Sequence, residues 1–259
     1  MKKFRLDFSD AVNDSNAYFE FFLANFAYKI ENFLIKYAKF AILGLSEGFM
    51  ETTLEKQFGS VPVTSGELKQ CLRGYRAPMA RIAMLHRRGE LIPLRRNLYL
   101  CSPESYSREL IANHLLAPSY VSYETVLSAE GIIPERVHTI RSSCMGRSRV
   151  FENSTGRYEY IGVARNYYPE GVGLKRTAEG MVYLAARPEK AVCDLILATP
   201  GLRLQSAKAA REYLEVYMRA DMDAVAGWDA DLIHTLAGLA KKKKNDLLNL
   251  ERMLRHECI

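Results

Sequence analysis

Between Thr64 and Leu100 the chain carries a close succession of helix-start, helix-stop and turn signals that leaves it few ways to fold. Thr64 and Glu67 have capping-box spacing, in which each side chain satisfies a backbone amide that the start of a helix leaves unpaired. That predicts a helix running to about Arg73 and closed by Gly74. Pro78 suits the first turn of another helix, where no donor is needed, and Gly89 suits its C-terminal end. In that helix Met79, Ile82 and Leu85 form a core stripe, leaving Arg81, Met84, Arg87 and Arg88 toward the other side. The apolar runs Leu91–Leu94 and Leu98–Leu100 flank Arg95, Arg96 and Asn97, which predicts a hairpin with a basic tip. With a short helix over Met50–Phe58 ahead of it, the segment reads as a winged helix-turn-helix. The helix after Pro78 is then the reader and the hairpin the wing.

Charge is concentrated on the same segment. From Lys69 to Cys101 there are eight bases (Lys69, Arg73, Arg76, Arg81, Arg87, Arg88, Arg95 and Arg96) and one acid, Glu90, while the whole chain is only +6. A compact basic module points to a polyanion, and for this shape to double-stranded DNA. Arginine forks match the two acceptors of guanine and also pair well with phosphate. Against this stands the plain alternative that the arginines of a helix simply face solvent. The hairpin tip tilts the balance, because Arg95 and Arg96 form a second basic group beside the first.

Bulk properties narrow the rest. A length of 259 residues fits one large domain or two smaller ones, and 48% hydrophobic content is ordinary for a chain that buries a core. The five cysteines, Cys71, Cys101, Cys144, Cys193 and Cys258, are scattered without a CxxC pair, so neither a disulfide framework nor a zinc site is expected. Met1-Lys2-Lys3 is followed by Asp7, Asp10 and Asp14 rather than an apolar run, unlike a signal peptide. The most apolar stretch, near Phe33–Leu45, contains Lys36 and Lys39 and is too short to span a bilayer. The chain therefore reads as soluble, cytoplasmic and free of membrane contact.

Residues 1–49 stand apart. Nine of the eleven phenylalanines fall there, and Phe19, Phe22, Phe26, Ile30, Phe33, Tyr37 and Phe40 share one helical face. This reads as an aromatic amphipathic extension that packs on the rest of the protein or on a second copy, with Met50 as an alternative start. Residues 50–102 form the winged-helix domain. Residues 103–200 read as a mixed α+β domain: helices over Tyr106–Leu115 and Tyr123–Ala129 (Ser122 as cap), strands over Val137–Ser142, Arg149–Phe151, Tyr158–Val163 and Leu184–Ala186, and a helix from Pro188 to Leu197. Residues 201–259 are helical in pattern, with breaks near Asp221–Asp229 and Lys241–Lys244. The fold class is thus α+β, a winged helix-turn-helix joined to a mixed domain with a helical tail.

Signs of catalysis are weak. There is no GxSxG, P-loop, HExxH or CxxC, and His86, His114, His138, His234 and His256 lie far apart. Glu189, Lys190 and Asp194 superficially resemble a nuclease carboxylate–lysine set, but their order and helical setting point to a structural pair. Lys241–Lys244 could touch nucleic acid, although four lysines between helices more often form a solvated joint. No enzyme activity, cofactor or metal is expected.

The stretch from Ala80 to Leu100, with RIAMLHRRGELIPLRRNLYL after its alanine, resembles the winged-helix domain of AbiEi-type antitoxins, regulators of type IV toxin–antitoxin (abortive infection) systems. The likeness continues through LLAPSYVSYETVLSAEGII (Leu115–Ile133), SRVFENSTGRYEYIGV (Ser148–Val163) and AARPEKAVCDLIL (Ala185–Leu197), covering roughly residues 50–200. The resemblance implies a winged helix that binds repeats in its own promoter, and a C-terminal domain that supports this binding and counters a nucleotidyltransferase-like toxin. Direct contact with that toxin is not required. Carried over residue by residue, DNA contacts fall on Arg81, Arg87 and Arg88 of the reading helix and on Arg95 and Arg96 of the wing. The aromatic segment before Met50 departs from the family pattern. Two rivals remain open: a nuclease-like effector, and a winged helix used to dock an acidic protein partner.

Overall fold

A computed structural model describes residues 54–101 and 105–257. The aromatic extension over 1–49, the start of the first helix and the junction at Pro103 lie outside the described residues. The fold is mixed α+β, with two sheets and helices packed around them.

Local chemistry explains the first elements. Helix α1 (Leu54–Phe58) leads to strand β1 (Val63–Thr64) and helix α2 (Ser65–Cys71). The capping box forms as expected: Thr64 Oγ1 accepts from the Glu67 amide at 3.3 Å, and Glu67 Oε2 accepts from the Thr64 amide at 2.7 Å. Helix α3 (Pro78–Arg87) starts on its proline and stops in a Schellman motif, with Gly89 at φ +76°. The Gly89 amide donates to His86 O, and the Glu90 amide to Leu85 O, both at 3.0 Å. Strands β2 (Ile92–Arg95) and β3 (Leu98–Leu100) form the hairpin, and the small sheet has the order β1-β3-β2, antiparallel throughout.

The larger sheet has the order β6-β7-β5-β4-β9-β8. Its strands are β4 (Ser119–Val121), β5 (Thr139–Cys144), β6 (Arg149–Asn153), β7 (Gly156–Gly162), β8 (Val172–Arg176) and β9 (Val182–Ala186). Two outer antiparallel hairpins, β6/β7 and β8/β9, flank a centre in which β5 runs parallel to β7 and β4 parallel to β9. Helices α4 (Arg108–Leu115), α5 (Tyr123–Ala129) and α6 (Pro188–Ala198) pack around it. The tail supplies α7 (Ala207–Glu212), a π-helical turn over Tyr213–Tyr217, α8 (Met222–Ala226), α9 (Ala230–Leu239) and α10 (Lys244–Glu257). Among the described residues no helix is long and apolar enough to cross a membrane.

Two apolar clusters result. Phe58, Val63, Leu68, Leu72, Ile82, Leu85, Leu91 and Cys101 form a small one under α1–α3. The large one gathers around the six-stranded sheet and takes in Val61, Leu94, Leu98 and Leu100. Side chains alternate along a strand, so Leu98 and Leu100 point one way and Tyr99 and Cys101 the other. The hairpin therefore belongs to both clusters.

The large core also holds polar groups. Lys190 and Asp194, one turn apart on α6, are fully buried, with Nζ 3.6 Å from Oδ1. Asp194 Oδ2 accepts from the hydroxyls of Tyr120 (3.0 Å), Ser122 (2.6 Å) and Ser143 (3.2 Å). Lys190 donates to Tyr167 O at 2.8 Å and lies over the Tyr167 ring. Burial lowers the Lys190 pKa to about 8, opposed by the Asp194 charge, while burial pushes the Cys193 thiol up.

Several details differ from the sequence reading. Helix α3 is rotated about its axis relative to that reading: Met79 is 50% exposed, whereas Arg81 is half-buried. Ser122 does precede α5, but its hydroxyl goes to Asp194 and caps nothing. Strands β4 and β8 lack the alternation that would announce them. In the lysine run Lys241, Lys242 and Lys244 are exposed, but Lys243 is half-buried: its backbone is at φ +56°, and its ammonium donates to Ile196 O at 2.7 Å and to Thr199 O, closing the C-terminal end of α6.

Candidate nucleic-acid interface

The basic residues fall into three groups on the small sheet and its helices. At the hairpin tip Arg95 and Arg96 are exposed, and Asn97 takes the left-handed conformation at φ +64°, which its short polar side chain tolerates. The tip lies against the start of α2, because the Ser65 amide donates to Asn97 O at 3.1 Å. Lys69, Arg73 and Arg76 are exposed along the last turn of α2 and the connection to α3. Arg87 and Arg88 are exposed at the end of α3.

Within α3 the buried pair is Ile82 and Leu85. At 3.6 residues per turn, Met79 lies about 60° beyond Ile82, on the outer margin of the stripe, while Arg81 lies next to Leu85. Arg81 runs its stem down this margin and sets its guanidinium 5.1 Å from the centre of the Tyr75 ring. The outward face is made of Met79, Ala80, Ala83 and Arg87. The sequence reading placed Met79 in the core stripe and gave Ala80 and Ala83 no position. Alanines there let a helix backbone approach a groove closely, and a bare thioether suits a thymine methyl. The signal that marks this face is the i, i+3, i+7 spacing of Ala80, Ala83 and Arg87.

Few of these cations are neutralised internally. Lys69, Arg76, Arg87, Arg95 and Arg96 make no ion pair among the described residues. Arg88 is 3.9 Å from Glu90, with both side chains more than half exposed, a geometry worth little. Glu67 is turned back on Thr64 by the capping box. His86 donates from Nδ1 to Leu91 O at 3.1 Å, which fixes its ring against the start of β2.

Lys190 and Asp194 offer nothing to a solvent-borne substrate, since both side chains are fully buried. Among the described residues no group of three or more His, Cys, Asp or Glu could hold a metal ion.

No protein-family model matches this chain, and no curated protein matches it.

Proposed function

We propose that residues 54–101 are a winged helix-turn-helix that binds duplex DNA, and that the chain is a cytoplasmic, non-enzymatic AbiEi-type regulator. In this reading it represses its own toxin–antitoxin operon and opposes a nucleotidyltransferase-like toxin. The observation that carries the proposal is the chain order helix–strand–helix–helix–strand–strand with sheet order β1-β3-β2, bearing exposed cations at the hairpin tip and along α2 and α3. In such modules the second helix of the pair enters the major groove while the wing and helix ends hold the backbone.

The division of labour follows from exposure. Arg87 and the small side chains Ala80 and Ala83 face the groove, and Arg95, Arg96, Lys69, Arg73 and Arg76 meet phosphates. Arg81 braces the connection through Tyr75 and reaches DNA only from the flank of α3.

Fluorescence anisotropy with a labelled duplex from the chain's own promoter, compared with a scrambled duplex, tests the proposal. Preference for the promoter supports it. Equal binding to both duplexes rejects operator recognition, and binding to neither rejects the DNA-binding reading.

A further inference from the structure

We propose that the turn Asn153–Gly156 of the larger sheet positions the wing, and that Arg95 and Arg96 engage DNA only while this turn grips the β2 strand. The inference rests on the reading of the small module as a DNA-binding winged helix.

It starts from an irregularity in the hairpin. Pro93 faces Tyr99 and Arg95 faces Leu98, so the register steps at Leu94, which has no partner in β3. A bulge of this kind leaves one residue outside the ladder, bends the strand and re-aims the side chains beyond it. Here those side chains are Arg95 and Arg96. A bulge next to a proline has little of its own to hold it, since Pro93 donates no hydrogen bond.

The support comes from the other sheet. Asn153 Nδ2 donates to Leu94 O at 2.9 Å, across 59 residues of sequence. The amide is not free to flip, because its Oδ1 accepts from the Thr155 amide at 2.9 Å and from Thr155 Oγ1 at 2.7 Å. Thr155 Oγ1 in turn lies 2.5 Å from the hydroxyl of fully buried Tyr158. Since Thr155 donates to Asn153, Tyr158 is the donor to Thr155, and all the bonds in the chain point toward the bulge. The turn itself is closed behind by Arg108: a Cβ on Gly156, at φ +134°, would collide with that guanidinium. Leu94 is buried in the large core, so the same residue is held by its side chain and by its carbonyl.

A clamp of this kind sets direction rather than charge, so its loss has a distinctive signature. Releasing the two tip arginines from phosphate flattens the plot of log affinity against log salt by about 1.8, at about 0.9 per phosphate. A mutation that only lowers the folded fraction leaves that slope unchanged.

The test is a double-mutant cycle on the full chain with the promoter duplex. Arg95→Ala/Arg96→Ala is expected to weaken binding by about tenfold and flatten the salt slope. Asn153→Ala is expected to reproduce both changes, and to add less than twofold in the Arg95→Ala/Arg96→Ala background. If the Asn153 and tip-arginine losses multiply, or if Asn153→Ala leaves the slope of the wild type, the positioning role is overturned. If Arg95→Ala/Arg96→Ala itself changes nothing, the DNA-binding reading of the wing fails instead. Should Asn153→Ala fold poorly, Thr155→Val keeps the Asn153 amide while removing the hydroxyl that orients it, and the same two criteria apply.

Discussion

Leu100→Ala probes the way the hairpin is shared between two cores. Leu100 is fully buried, faces Ile92 across the hairpin and belongs to the large cluster. Removing its three outer carbons forfeits the transfer energy of those atoms and leaves a cavity between the small sheet and the large core. Leucine truncations at such sites cost about 2–5 kcal/mol, and full burial places this one at about 3 kcal/mol. The chain carries one tryptophan, Trp228, and it packs against the large cluster far from the hairpin in sequence. Its fluorescence therefore reports unfolding of the large core alone. With a urea m-value of about 3 kcal/mol/M for a chain of this size, the Trp228-monitored midpoint is expected to fall by about 1 M. Leu68→Ala, in the small cluster, serves as the comparison: it is expected to lower the helical signal at least as much as the Trp228 signal. A Leu100→Ala protein whose Trp228 midpoint matches the wild type would refute the shared-core reasoning.

Further expectations concern single sites. Lys190→Met is expected to cost about 3–5 kcal/mol in denaturant unfolding, since it strands the Asp194 charge in the core, whereas pairing it with Asp194→Leu recovers part of the loss. The folded-state pKa of Lys190, about 8, lies below its ordinary value of about 10.4. Between those two values the unfolded chain holds a proton that the native chain has released, so this group makes stability rise with pH in that window. A Lys190→Met protein is expected to lose that rise in midpoint-versus-pH measurements, and an unchanged profile would contradict the assignment. Arg87→Ala is expected to weaken promoter binding with its melting temperature within about 1 °C of wild type, as befits an exposed side chain. Arg81→Ala is expected to lower the melting temperature as well, because it removes the packing over Tyr75; an equal melting temperature would contradict that contact.

How much was legible in the sequence depends on how local the cause is. The Thr64–Glu67 box, the proline start at Pro78 and the Gly89 stop are settled by neighbours within four residues, and each appears where its spacing places it. The Met79–Arg81 exchange was not legible, since a ten-residue helix can roll by half a side chain, and one of the groups Arg81 meets, Tyr75, lies outside the helix. Strand β4 is three residues long and wholly buried, so Ser119–Val121 shows no alternation; Val172–Arg176 mixes a glycine with two cations on an outer strand. The basic tip was visible as composition. Its fixing by Asn153 was not, because an asparagine in a turn is ordinarily read as serving its own turn. The same holds for Lys243, whose role depends on two carbonyls more than forty residues away.

The most direct test is the salt dependence of binding to the promoter duplex. A log–log slope of about −4.5 is expected, from about five phosphate contacts at about 0.9 each, together with tighter binding to the promoter than to a scrambled duplex. A slope near zero would show that the exposed cations of α2, α3 and the hairpin do not face a nucleic acid.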